Sequence, residues 1–176
     1  MSYQATVFNL MISCPSDAKN GQEGVRKSIN NWNDKHSERN QIVLLPLYYE
    51  THVPAVLADP GDERPQAVIN DYIVRMSDWL IVIFKNKIGM FMGRADSGTL
   101  EEIQLFRKLY PYRPVSVYFY EQTEDEKVKE YKDKLPGIWK GYKNDSELQR
   151  KFSDDISHVV YKNTYFQQNM WIIDEL

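Results

Sequence analysis

The sequence predicts an α/β fold in which a five-stranded parallel sheet lies between two layers of helices. Three observations lead to this prediction. Short apolar segments typical of strands alternate with longer segments whose apolar residues recur at helical spacing. Residues 79–84 are apolar at nearly every position, which is typical of a parallel strand buried on both faces. The length of 176 residues and the hydrophobic fraction of 42% suit one domain with a substantial core.

Five segments have the length and composition of β-strands, and each is bounded by turn-forming residues. They are residues 6–13, 42–49, 79–84, 115–120 and 138–142. Pro46 in the second segment indicates a bulge or an edge position, because proline cannot donate a hydrogen bond to the ladder. The fifth segment gives the weakest signal.

Each strand segment is followed, directly or after a loop, by a predicted helix, and four of these five helices have apolar residues at helical spacing, whereas the one after the fourth strand is mainly charged. The predicted helices begin near residues 17, 65, 99, 124 and 145. Ser16 or Asp17 can cap the first of them, and Asp145 or Ser146 the last. Residues 51–65 carry three prolines and no periodicity. They predict a long loop of the kind that often covers or contacts a ligand.

The regular alternation of strands and helices limits the topology of the sheet. Right-handed crossovers favour the strand order 2-1-3-4-5 of a flavodoxin-like three-layer sandwich. In this order the switch point lies between the first and third strands, so the loops at 13–17 and 85–99 flank one crevice. Open α/β sheets bind their ligands in such a crevice, at the carboxyl ends of the strands.

Composition disfavours several classes of function. The net charge of −3 provides no basic surface, so direct binding to nucleic acid is not expected. Cys14 is the single cysteine, which rules out an intramolecular disulfide and fits a reducing compartment. No segment has the pattern of a signal peptide or a membrane span, so we expect a soluble, cytoplasmic protein. The three histidines lack metal-ligand spacing, and no GxGxxG or P-loop motif occurs, so no metal or cofactor is predicted.

The most informative segment for function is 94–103, Arg-Ala-Asp-Ser-Gly-Thr-Leu-Glu-Glu-Ile. It places Asp96, Ser97 and Thr99 in a turn after the third strand and puts Glu102 in the first turn of the next helix. Hydroxyls and carboxylates at this edge of the sheet suit a sugar ring. A carboxylate beside the anomeric carbon stabilises the oxocarbenium-like transition state of glycosidic cleavage. The segment therefore indicates a sugar-binding site and cleavage of a glycosidic bond.

Two interpretations of Glu102 remain open. Thr99 and Glu102 have the spacing of a capping box, in which the glutamate has a structural role. Helical phase, at about 100° per residue, separates the two neighbouring glutamates. Glu101 is expected to face solvent, whereas Glu102 lies beside the apolar face, near Phe106, where it can face the crevice. If one of the two is catalytic, it is Glu102.

The first loop also has two interpretations. Ser13, Ser16 and Asp17 either complete the start of the following helix or contact a sugar or phosphate at its N-terminus. Asp96 and Ser97 divide in the same way between turn formation and sugar binding. Cys14 has no histidine or basic residue close by in the sequence, which favours a buried small side chain over a nucleophile.

These motifs resemble the TIR-like branch of the superfamily that joins TIR domains and nucleoside 2-deoxyribosyltransferases. In particular they are similar to an uncharacterised, mainly prokaryotic TIR-like family. The matching blocks are residues 11–17, 65–70, 77–84, 97–103 and, less closely, 137–148. The resemblance implies a TIR-like domain over residues 1–163. The tail at 164–176 then packs on this domain, mediates assembly or leads into a further domain.

The resemblance also implies roles for individual residues. In deoxyribosyltransferases a sugar-binding aspartate precedes the catalytic glutamate by six residues, which is the spacing of Asp96 and Glu102. In NAD-cleaving TIR domains the catalytic glutamate opens the helix after the third strand and precedes an apolar residue, as Glu102 precedes Ile103. The loop at 13–17 looks like the TIR segment that lines the nucleotide pocket.

The expected function is hydrolysis of an N-glycosidic bond, with cleavage of NAD or a related nucleotide between ribose and nicotinamide. The resemblance further implies an antiviral defence effector in bacteria that forms a homo-oligomer on activation. Glu102 is the expected catalytic residue, and NAD is a substrate, not a cofactor. The expected substrate contacts are Ser13, Ser16, Asp17, Asp96, Ser97 and Thr99. Two alternatives stay open: a deoxyribosyltransferase or nucleosidase, and a non-catalytic module that senses nucleotides or associates with itself.

Overall fold

The computed structural model describes residues 2–47, 52, 72–89 and 98–170. The strands are β1 (Thr6–Ser13), β2 (Ile42–Leu47), β3 (Trp79–Phe84), β4 (Val115–Tyr120) and β5 (Lys140–Tyr142). The helices in these ranges are α1 (Lys19–Asn40), α2 (Gly98–Leu109), α3 (Glu126–Lys134), α4 (Asp145–Lys162) and α5 (Thr164–Met170). Two short 3-10 turns lie at Ser16–Ala18 and Val74–Met76. The predicted loop at 51–65, and the start of the helix predicted from residue 65, lie outside the described residues except for His52.

The five strands form one parallel sheet with the order β2-β1-β3-β4-β5. This confirms the strand order predicted from the sequence. β3 is the central strand, and all six of its residues are buried. Its side chains alternate between two cores: Trp79, Ile81 and Ile83 pack with α1 and α4, whereas Leu80, Val82 and Phe84 pack with α2 and α3. An unbroken apolar strand is what burial on both faces requires.

The layer formed by α1 and α4 depends on a close approach at one glycine. A Cβ atom built on Gly21, in the first turns of α1, would lie 2.8 Å from Leu148 Cδ2 on α4. Gly24, one turn further along, has 3.6 Å to its nearest neighbour. The start of α1 is therefore pressed against α4, and this contact fixes where the loop after β1 enters the helix.

Helix starts differ from the sequence-based expectation at both ends of the chain. Neither Ser16 nor Asp17 caps α1, because a 3-10 turn intervenes and Ala18 occupies the cap position. Asp17 accepts a hydrogen bond from another loop instead. The prediction for α4 is wrong by one residue, since Asn144 Oδ1 accepts the bond from the Glu147 backbone N–H at 2.9 Å.

The fifth strand is shorter than predicted. β5 contains three residues, Lys140–Tyr142, whereas the sequence indicated 138–142. Ile138 is 97% exposed and lies before the strand, so its apolar side chain gave a misleading signal.

None of the helices within the described ranges combines the length and the apolar composition that a membrane span requires.

The segment after residue 163 packs back onto the sheet as far as Met170. Phe166 on α5 is fully buried, with its ring centroid 4.4 Å from that of Phe8 and 6.0 Å from that of Trp79. The hydroxyl of Tyr165 donates to Asp78 Oδ1 at 2.6 Å. Burial, reinforced by this hydrogen bond, raises the pKa of Tyr165 to about 12. Residues 164–170 are thus part of the packed fold, and Trp171 lies outside the described residues.

Candidate functional site

The loops that follow β1 and β3 meet at the carboxyl edge of the sheet. The backbone N–H of Asn86, after β3, donates to Asp17 Oδ2, after β1, at 2.8 Å. This contact joins residues 69 positions apart in the chain. The strand order predicted such a meeting, because β1 and β3 are neighbours on either side of the switch point.

Ser13 and Glu102 form a buried pair at the same edge. Ser13 is the last residue of β1 and is 4% exposed, and Glu102 lies on α2 and is 8% exposed. The hydroxyl of Ser13 donates a hydrogen bond to Glu102 Oε2. A carboxylate this far removed from water needs such a partner, because an unpaired buried charge is strongly destabilising.

The packing of α2 explains why Glu102 reaches this position. Leu100, Ile103 and Phe106 are buried against the side of the sheet formed by Val82 and Phe84 of β3 and their neighbours. Since Glu102 directly precedes Ile103, it lies at the border of the apolar face, as helical phase predicted. Ser13 pairs with Val82 in the parallel ladder between β1 and β3. A helix that packs over Val82 therefore has Glu102 close to the end of β1.

The prediction for the neighbouring glutamate is only partly correct. Glu101 is half-buried, and its Oε2 atom is inaccessible to solvent, whereas the sequence predicted a solvated side chain. Thr99 is buried in the first turn of α2, which begins at Gly98. A capping box would instead require Thr99 at the position just before the helix. Glu102 is therefore better described by its contact with Ser13 than by a cap.

Asp17 has one satisfied and one unsatisfied carboxylate oxygen. Oδ2 accepts from Asn86, while Oδ1 is buried and has no hydrogen-bond partner among the described residues. Leaving such an oxygen without a donor costs free energy, so it marks a position where a ligand donor would be favourable.

Cys14 is half-buried and packs against the core, in keeping with its expected role as a small apolar side chain.

Tyr142 extends the site towards β5, and sequence analysis did not identify it. Its hydroxyl donates to the carbonyl of Phe84, the last residue of β3, at 3.1 Å. Burial raises the pKa of Tyr142 well above its usual range, and the negative charges of Asp145 and Asp17 raise it further. The tyrosine therefore stays neutral and fixes the end of β3. Its position at the end of a strand was the available signal.

Of the three remaining residues predicted to contact the substrate, only Ser16 is among the described residues. Ser16 is exposed on the 3-10 turn after β1, so it lies at the rim of this edge rather than inside it. Asp96 and Ser97 lie outside the described residues. No group of three or more histidine, cysteine, aspartate or glutamate residues in the described ranges could hold a metal ion.

The sequence matches no protein-family model and no curated protein. Among solved structures it is similar to a chain from the crystal structure of the RPS4 and RRS1 TIR domain heterodimer. The two chains superpose with a TM-score of 0.52 over 89% of this chain and 99% of the other, with 9% sequence identity. At this identity the likeness concerns the fold alone. The resemblance noted from the sequence motifs is thus confirmed at the level of architecture: this chain has a TIR-like fold.

Proposed function

We propose that the chain is an N-glycoside hydrolase that cleaves NAD, or a related nucleotide, between ribose and nicotinamide. Glu102 is the catalytic carboxylate in this proposal. The observation that carries it is the position of Glu102, which is buried, bonded to a serine hydroxyl and located at the switch point of the sheet. The Asp17 oxygen that lacks a hydrogen-bond partner in the described part of the chain lies on the loop after β1, at the same edge.

The chemistry requires a negative charge near the sugar carbon that loses its base. When the C1′–N bond of NAD breaks, the bonding electron pair stays on the nicotinamide nitrogen, which becomes neutral. C1′ and the ring oxygen then share a positive charge, as in an oxocarbenium ion. Water adds at C1′ and releases a proton. Since the leaving group is already good, one carboxylate can supply most of the stabilisation, and its effect is stronger in a site with little water.

The other side chains at this edge suit the ribose. Asp17 Oδ1, which has no partner among the described residues, can accept a hydrogen bond from a ribose hydroxyl, while the Asn86 N–H holds Oδ2 in place. We propose Thr99 as a further contact from α2 and Ser16 as a contact at the rim. Asp96 and Ser97 complete the proposed set on the strength of the sequence motif.

The proposal includes self-association. The solved structure described above is a heterodimer of TIR domains. We propose that copies of this chain associate when activated, so activity has to be measured at high protein concentration. The tail at 164–176 is a weaker argument for assembly, because its Phe166 is already buried within the domain.

The test is nicotinamide release from NAD by the purified chain, measured over a concentration series and with a crowding agent. Glu102→Gln keeps the size of the side chain and removes its charge, and is expected to lower the rate about 100-fold or more. Glu101→Gln makes the same chemical change at the adjacent position and is the matched control. Equal activity of wild type and Glu102→Gln would refute the assignment.

Further arms of the same experiment separate the alternatives. Base release from deoxynucleosides without NAD cleavage would identify a deoxyribosyltransferase or nucleosidase. Binding of NAD without turnover, accompanied by larger assemblies, would identify a non-catalytic module. The proposed antiviral role predicts that bacteria expressing the wild-type chain resist phage infection, whereas bacteria expressing Glu102→Gln do not.

A further inference from the structure

We infer that Ser13 is a positioning residue, whose hydroxyl holds the Glu102 carboxylate ionised at the end of β1. This inference rests on the proposed function for its catalytic meaning. It differs from the sequence-based expectation, which made Ser13 a contact for the substrate itself.

The geometry of the pair supports an indirect role. Ser13 and Glu102 are both largely buried, and the Ser13 hydroxyl donates to Glu102 Oε2. A serine hydroxyl carries a single proton, so a proton donated to Glu102 cannot also be donated to a ribose oxygen. The backbone of Ser13 is fixed by its pairing with Val82 in the middle of the sheet. The hydroxyl therefore acts on the substrate through Glu102.

The chemical consequence concerns the charge of Glu102. Burial disfavours an ionised carboxylate, whereas a donor bonded to its oxygen favours the ionised form. Cleavage through an oxocarbenium-like transition state needs the ionised form. The hydroxyl also restricts a side chain with three rotatable bonds to one arrangement, which lowers the entropy lost when the transition state forms.

The test combines a titration that does not depend on activity with steady-state kinetics. The chain is labelled with glutamate carrying ¹³C at the carboxyl carbon, and the Glu102 signal is identified by its loss in Glu102→Gln. Ser13→Ala is expected to raise the titration midpoint of Glu102 by about one pH unit. Ser13→Cys has almost the same shape and only a weak donor, so it is expected to behave like Ser13→Ala. Ser13→Thr keeps the hydroxyl and is expected to restore the wild-type midpoint.

The kinetic arm separates positioning from binding. Loss of the hydroxyl is expected to lower kcat on NAD about tenfold with little change in KM. The acidic limb of the pH–rate profile is expected to shift to higher pH. Ser77→Ala is the matched control. Ser77 is a fully buried serine that donates to the Ile73 carbonyl, next to the opposite end of β3. That control is expected to leave both the midpoint and the profile unchanged.

Each outcome decides one question. An unchanged Glu102 midpoint in Ser13→Ala and Ser13→Cys would overturn the inference even if Glu102 proves essential for NAD cleavage. A raised KM with unchanged kcat would return Ser13 to direct substrate binding. A shifted midpoint in a chain that cleaves no NAD would support the effect of the hydroxyl on Glu102 and refute the proposed function instead.

Discussion

Replacing Phe166 with alanine tests whether α5 belongs to the packed domain or is a separable tail. Phe166 is fully buried and contacts the rings of Phe8 on β1 and Trp79 on β3. Truncating a buried phenylalanine costs about 3–5 kcal/mol, because apolar area is lost and a cavity is left. The two ring contacts add to the loss of packing. We therefore expect the free energy of unfolding to fall by about 4 kcal/mol, against a total of about 5–15 kcal/mol for a domain.

The assay is urea unfolding of the full chain, followed by tryptophan fluorescence and far-ultraviolet circular dichroism. Phe166→Leu keeps most of the apolar volume and is expected to lose less than about 1.5 kcal/mol. Tyr112→Ala removes an aromatic ring that is 87% exposed and is expected to change stability by at most about 0.5 kcal/mol. A chain ending at Asn163 is expected to be at least as unstable as Phe166→Ala. If Phe166→Ala unfolds at the wild-type urea concentration, α5 contributes nothing to the core, and the reasoning from its burial is refuted.

Three further predictions follow from the contacts of single residues. Gly21→Ala is expected to destabilise the chain by about 1–3 kcal/mol, because the new Cβ would overlap Leu148 on α4. Gly24→Ala is expected to stabilise the chain by up to about 1 kcal/mol, because alanine favours a helix over glycine and its Cβ has room. Thermal unfolding of the two variants measures the difference. The raised pKa of Tyr165 means that the unfolded chain loses this proton near pH 10.0 and the folded chain near pH 12, so stability falls as the pH rises through this window. In urea titrations between pH 8 and 11 the fall is expected to be smaller in Tyr165→Phe, and an identical fall would contradict the assignment. Asp17→Asn removes the charge of a half-buried side chain whose Oδ1 is inaccessible to solvent and has no hydrogen-bond partner among the described residues. We expect kcat/KM on NAD to fall about 10- to 100-fold without loss of thermal stability, and a drop in stability with full activity would show that Asp17 is structural.

The features of the fold that could be predicted are those that many residues determine together. β3 was predictable because six consecutive apolar residues leave few alternatives to a strand buried on both faces. The strand order followed from the alternation of elements and the handedness of crossovers. Two such rules bear on the contact between Ser13 and Glu102. The strand order places the end of β1 beside β3, and helical phase selects Glu102 over Glu101.

The features that could not be predicted depend on one contact between distant residues. Asp17 is a residue type that commonly caps helices, but its carboxylate accepts a hydrogen bond from the backbone N–H of Asn86, 69 positions further along the chain. Local propensity cannot decide between two donors when one of them is brought in by the tertiary fold. The seven residues of α5 are too few to show a periodicity, and the place of Phe166 is set by the rings of Phe8 and Trp79. Such assignments require the assembled sheet.

The contacts at the two ends of β3 hold the strand next to the Ser13–Glu102 pair, in which Glu102 is the proposed catalytic carboxylate. Before its first residue, Asp78 accepts bonds from the backbone of β1 at Asn9 and from Tyr165 of α5. After its last residue, the loop is held by Asp17, while Tyr142 binds the Phe84 carbonyl. A catalytic group must be held within a fraction of an ångström of its productive position. Because the strand is bonded at both ends and buried between them, the neighbouring end of β1 provides a rigid base for the Ser13–Glu102 pair. Substitutions at the Asp78 end are therefore expected to lower stability well before they change the charge of Glu102, whereas Ser13→Ala is expected to do the reverse.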